Sequence, residues 1–300
     1  MHDHVHHRNG NGALRPLLIA FLLTLGFSFV ELVGGWLSGS LALLSDAGHM
    51  LTDAFALALG AVAAALAKKP ADRDLSFGWG RAEVLAAVIN GVIMLLIVAG
   101  ISFAAIDRLR NPQPVQGATV MLIAAIGLLV NVLAAWTLYR GERTINIRGA
   151  LLHVMGDLLG SMAALVSGAV IYLSGWLPID PLLSLLICLL ILISCVRLLR
   201  DAVDVLMERV PRELSLPVVG ETLAQVSGVR SVHDLHIWRL DSSTVSLSAH
   251  IVVDDLSAWS AVLERLRETL IKRFGIEHIT LQPEPIDQVG PVIIDRVSTP

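Results

Sequence analysis

The 300 residues carry 55% hydrophobic and only 16% charged side chains, with a formal net charge of −4. That balance excludes a wholly soluble chain, and no nucleic-acid partner is expected of it. Several segments approach or exceed the roughly 20 mainly apolar residues that cross a bilayer as a helix. The two cysteines, Cys188 and Cys195, lie in one apolar segment; they read as inert filler, with no disulfide framework implied.

Residues 1–13 form a polar tail holding His2, His4, His6 and His7. It reads either as a loose metal-collecting segment or as a short, dispensable terminus. No signal-peptide pattern follows, since the first apolar run is long and lacks a small-residue cleavage site. A membrane domain is expected over 14–206. Its first span runs from about Pro16 to Trp36, with Glu31 inside it, and its second from about Ser40 to Ala67. Lys68-Lys69-Pro70 ends the second, because proline cannot continue a helix. After a polar loop come spans of about Ala82–Ile106 and Ala118–Leu138, separated by a turn with Pro112 and Pro114. A fifth helix covers about Thr144–Ser174, and Trp176 to Pro181 turns the chain into a sixth span ending near Leu199.

Six spans put both termini on one side. With that side cytoplasmic, the inner loops hold Lys68, Lys69, Arg73, Arg81, Arg140, Arg143 and Arg148, and the outer ones only Arg108 and Arg110. The positive-inside rule favours this orientation, so a multi-pass protein of a plasma or inner membrane is expected, with cytoplasmic termini. Residues 207–285 have soluble character. Leu214–Val226 reads as a helix, Val229–Leu240 and Thr244–Val253 as strands, Trp259–Phe274 as a helix and Ile276–Leu281 as a third strand. The order αββαβ predicts a small sheet with helices on one face, an α+β layer. The tail, 286–300, has no reading.

Polarity inside the membrane concentrates in two His-x-x-x-Asp pairs, His49/Asp53 and His153/Asp157. Residues four apart share a helix face, so two facing helices offer two imidazoles and two carboxylates to one point. Zn²⁺ accepts such a set in tetrahedral geometry. In a soluble protein the same spacing is more often a surface pair. Here two ionised aspartates near mid-bilayer cost about 5–7 kcal/mol on insertion scales, and such residues mark ion or proton routes.

The sequence resembles the cation diffusion facilitator family, close to its bacterial zinc-efflux branch, over about residues 14–285. The resemblance lies in ordered motifs: Ser45-Asp46-Ala47-Gly48-His49 through Asp53, Phe77-Gly78-Trp79-Gly80-Arg81-Ala82-Glu83, His153 through Asp157, and Val232-His233-Asp234-Leu235-His236-Ile237-Trp238. It implies a homodimer with a metallochaperone-like cytoplasmic domain, and a transport site of His49, Asp53, His153 and Asp157 that exchanges cytoplasmic metal for protons. In such proteins this ligand set is associated with zinc, with cobalt and cadmium as the broader alternative. Asp46 shares the helical face and reads as structural or as a support behind the ligands. A second site in the loop after span two is not expected, since Asp72 and Asp74 are there without a histidine. A cytoplasmic zinc site is implied at His233, His250 and Glu284, with His236 as a further candidate and Gln282 nearby. On a regular strand His233 and His236 point to opposite faces, which argues against their sharing a metal. The resemblance also implies an ion pair between Arg81 and Glu208.

Other functional classes fit less well. No Walker-type phosphate loop is present, so a built-in ATPase is not expected. An intramembrane zinc hydrolase wants a His-x-x-x-His pair and a free acid as base, and neither pair here is His-His. A passive channel needs weak sites, whereas four strong ligands trap a divalent ion unless protons displace it.

Overall fold

The computed structural model describes residues 11–140, 145–241 and 244–286. The N-terminal histidines, the tail from 287 and the side chain of His153 lie outside the described residues. Six helices come first: α1 (Asn11–Ser38), α2 (Leu41–Ala67), α3 (Ala82–Arg110), α4 (Gly117–Tyr139), α5 (Ile145–Ser174) and α6 (Ile179–Leu206). All six are long and apolar enough to cross a membrane. They are built from strong helix formers such as Ala and Leu, and prolines sit at the junctions: Pro70, Pro112, Pro114 and Pro178. Gly39, at φ 73°, makes the tight reversal between α1 and α2.

Two compact units divide the chain, one of residues up to 59 with 89–198, the other of 60–88 with 199 onward. The first unit is the helical one. Its outward faces are apolar and exposed, as at Leu22, Phe103 and Leu173, which suits lipid. Its interior is small and polar by contrast. At Gly117, an added Cβ would lie 2.7 Å from the Tyr172 backbone nitrogen, and at Gly168 one would lie 2.5 Å from that of Met121. Backbone therefore meets backbone where α4 crosses α5, the packing that membranes favour in the absence of a hydrophobic drive between helices.

The second unit holds a three-stranded sheet with α7 (Leu216–Ala224) and α8 (Trp259–Phe274) packed on it. Strand β1 (Val229–Arg239) pairs antiparallel with β2 (Val245–Val253), and β2 pairs parallel with β3 (His278–Pro285). β2 is central and almost continuously buried. The stripe Val262, Leu266 and Leu270 on α8 covers it, at the four-residue spacing of one helix face. The expected order αββαβ is thus present. β3 starts later than its sequence implies because Gly275, at φ 66°, ends α8 in a left-handed cap. The Ile276 N–H then returns to the Leu270 carbonyl at 3.2 Å. It also runs on through Pro283 and Pro285, which an edge strand with one neighbour tolerates.

Candidate functional site

α2 begins on a charge borrowed from another helix. The buried carboxylate of Asp180, in the first turn of α6, accepts from Ser40 Oγ at 2.5 Å, the Leu41 N–H at 2.7 Å and Ser167 Oγ at 3.2 Å. A carboxylate there satisfies orphan amides and complements the helix dipole. Arg108 closes the arrangement, 3.9 Å from Asp180 and donating to the Gly39 carbonyl. The sequence shows Asp180-Pro181 only as a turn into span six; the partner it caps is 140 residues away.

From this anchored end, α2 presents Asp46, His49 and Asp53 on one face, three and seven residues apart. His49 Nε2 lies 3.5 Å from Asp53 Oδ2, and both side chains are partly exposed. Asp46 is buried and faces α5: Ser161 Oγ donates to its Oδ2 at 3.2 Å, and Asn131 Nδ2 of α4 donates to Ser161 Oγ at 3.1 Å. A Cβ on Gly160 would lie 2.1 Å from Asp46 Oδ1, so the Asp46 carboxylate occupies the space that a side chain at 160 would fill. Asp157, one turn before Ser161 on α5, is 1% exposed; His153 lies one turn further back. Sequence reading had Asp46 as structural but did not single out its partners Ser161, Asn131 and Gly160. Their signal is the run of small residues on one face of α5: Gly160, Ser161, Ala164, Ser167 and Gly168.

The cysteines are free and buried. Cys195 donates to the Gly91 carbonyl at 3.1 Å, and Cys188 lies 3.6 Å from Ser45 Oγ.

In the second unit, His233, His250 and Glu284 bring three potential ligand atoms within 4.8 Å of one another, the one such trio among the described residues. Glu284 reaches His233 Nε2 at 2.9 Å with one oxygen and His250 Nδ1 at 2.7 Å with the other. His233 and His250 face each other across β1 and β2. Two imidazoles and a carboxylate form a donor set that zinc accepts.

His233 and His236 share one face of the sheet, contrary to strict alternation along β1. His233 pairs with His250 and His236 with Ser248, so β1 uses three steps where β2 uses two. This is a bulge, with Asp234 left-handed at φ 49°. It returns His236 to the face that carries His233. His236 still stays out of the trio: it is held by Asp234 Oδ1 at 3.0 Å, while the other oxygen of Asp234 lies 3.7 Å from His250. Gln282, opposite His250 on β3, is exposed. Asp72 spends its carboxylate locally, accepting from the Asp74 and Leu75 amides at 2.9 and 2.7 Å, a turn of its own making. Arg81 Nη2 lies 2.8 Å from Glu208 Oε1, and both side chains are solvent-accessible.

Residues 17–207 match the family described as Cation efflux transmembrane domain, and residues 211–286 the Cation efflux protein, cytoplasmic domain. The chain is 42% identical to the zinc transporter ZitB of Escherichia coli over 94% of its own length and 92% of that protein's. It is 40% identical to the cadmium, cobalt and zinc/H(+)-K(+) antiporter of Bacillus subtilis, over 93% and 91% of the two lengths. Among solved structures, the metal-bound C-terminal domain of the CzcD transporter from Cuprividus metallidurans is 39% identical. That match covers 24% of this chain and 99% of that one, with a TM-score of 0.23.

Proposed function

This chain belongs to the cation efflux family, a multi-pass membrane transporter and not an enzyme by that membership, and from this premise we propose that it exports Zn²⁺ in exchange for protons. The cargo is held between α2 and α5 by His49, Asp53, His153 and Asp157. The observation that carries this reading is the contact of the buried Asp46 carboxylate on α2 with Gly160 and Ser161 on α5, where the two helices cross. In a chain of six successive spans, α2 and α5 run in opposite senses. Going from the crossing towards the end of α2 and the start of α5, a rise of about 1.5 Å per residue puts His49 and Asp157 roughly 4.5 and 6 Å away, and Asp53 and His153 roughly 10.5 and 12 Å away. The four groups therefore fall in two matched layers, each pairing an imidazole with a carboxylate across the two helices.

Zn²⁺ binds neutral imidazole and ionised carboxylate, so its entry expels protons and an acidic side releases it. Alternating exposure of the site then returns protons inward for each metal carried out. The chain works as a homodimer in the plasma or inner membrane with both termini cytoplasmic, as the basic inner loops favour. His233, His250 and Glu284 form a regulatory zinc site on the cytoplasmic domain. The names of the relatives support zinc and leave cadmium and cobalt as further cargo; imidazole and carboxylate ligands serve all three.

The test is uptake into liposomes holding the purified chain, with zinc, cadmium, cobalt and magnesium each offered with and without a pH gradient. Zinc accumulation driven by the pH gradient alone is expected, with no response to magnesium. Uptake indifferent to the gradient would identify a channel, and peptide cleavage a hydrolase.

A further inference from the structure

Glu31 is an acid of the membrane interior that the metal set does not use. Glu31 of α1 is 0% exposed, and neither of its carboxylate oxygens has a hydrogen-bond partner among the described residues. It points at α4, where a Cβ on Gly127 would lie 2.9 Å from Glu31 Oε1 and 2.5 Å from the Phe27 ring. The carboxyl thus fills the notch that the missing side chain leaves. One turn further along α4 is buried Asn131, which donates to Ser161, which donates to Asp46. The amide oxygen of Asn131 is itself without a hydrogen-bond partner among the described residues. Asp157 lies one turn from Ser161 on α5, at the far end of this chain of contacts, while α4 contributes no charged group.

Among the described residues no cationic side chain pairs with Glu31, and an ionised carboxylate in such surroundings is far costlier than a neutral one. The cation that suits Glu31 is a proton. Zinc at Asp157, one turn from Ser161 on α5, brings positive charge to the end of this polar chain, and a nearby positive charge favours an ionised carboxylate.

We infer that Glu31 is a second proton site, losing a proton as zinc binds and regaining one as zinc leaves. Only an O–H bond breaks and re-forms; the proton goes to solvent and is replaced from the acidic side. The inference rests on the antiport reading and adds a carrier that lies off the metal set.

The experiment uses the full chain in liposomes, with a zinc dye and a pH dye inside, and compares wild type with Glu31→Gln and Glu31→Asp. Glu31→Gln should carry zinc with fewer protons per ion, the ratio falling by about one, and Glu31→Asp should keep the wild-type ratio. Infrared difference spectra of the wild type should lose a protonated-carboxyl band when zinc is added, and Glu31→Asp should shift that band. If Glu31→Gln does not fold, those spectra decide alone: a band indifferent to zinc, or unmoved in Glu31→Asp, overturns the inference. An unchanged ratio in folded Glu31→Gln beside a coupled wild type overturns it and leaves the antiport reading standing. A wild type that moves no protons at all removes both.

Discussion

At position 160 a single hydrogen in place of a side chain decides how α5 meets α2. A methyl group there would need to sit 2.1 Å from Asp46 Oδ1, so helix or carboxylate must move. Gly160→Ala is expected to destabilise the protein by about 1–3 kcal/mol, the usual range for overpacking, and to lower zinc transport by spreading the two layers of ligands. Ser161→Ala removes a hydrogen bond without adding bulk, so a loss of about 1 kcal/mol is expected. Thermal unfolding in detergent, alongside zinc uptake, checks the order; equal effects would mean the crossing does not set the site. Asp157→Asn should abolish transport while leaving the fold intact, since neutralising a buried acid removes a ligand and no packing. The two His-x-x-x-Asp pairs were legible because ligand spacing is written along one helix. Gly160 and Ser161 were not, because a residue's closeness to Asp46 is a property of two helices and not of either sequence.

Helix α2 owes its start to Asp180 of α6, and this contact belongs to the scale of elements. Asp180→Ala strips the cap from Leu41 and leaves Arg108 without its acid. A loss of about 1 kcal/mol for the cap alone is expected, with somewhat more because partly exposed Arg108 keeps the Gly39 carbonyl and loses its acid. Asp180→Asn keeps an acceptor and should cost less; the two midpoints of thermal unfolding measure the difference. Helix existence and order were readable from apolar length. The ends were less so: α6 continues to Leu206 through Arg197, Arg200, Asp201 and Asp204, polar residues that a hydropathy reading puts outside the membrane yet a helix accepts. It stops where Glu208 turns left-handed at φ 54°. The bulge at Asp234 was equally hidden, because it is set by the pairing of β1 with β2, and it overturns the alternation argument for His233 and His236. In the cytoplasmic domain, His233→Ala with His250→Ala should remove tight zinc binding, and His236→Ala should leave it within a few-fold. Calorimetry on these variants would show the opposite order if His236 were the ligand.

For the whole molecule, the proposal requires that metal binding and proton release be one event. Arg81 and Glu208, 2.8 Å apart but solvent-accessible, bear on it only if their pair transmits more than its own stability, which for an exposed pair is about 0–1 kcal/mol. A double-mutant cycle on zinc uptake is expected to be non-additive, and simple additivity would reduce the pair to a surface contact. The most direct measurement is zinc calorimetry across pH on protein carrying His233→Ala, His250→Ala and Glu284→Ala, so that His49, Asp53, His153 and Asp157 are the set being titrated. Affinity is expected to fall from about pH 7.5 to about pH 6 as protons compete with zinc for its ligands, and buffers of different ionisation heat should reveal protons released with each zinc bound. Affinity that stays level across that range, with no protons released, would contradict the proposal.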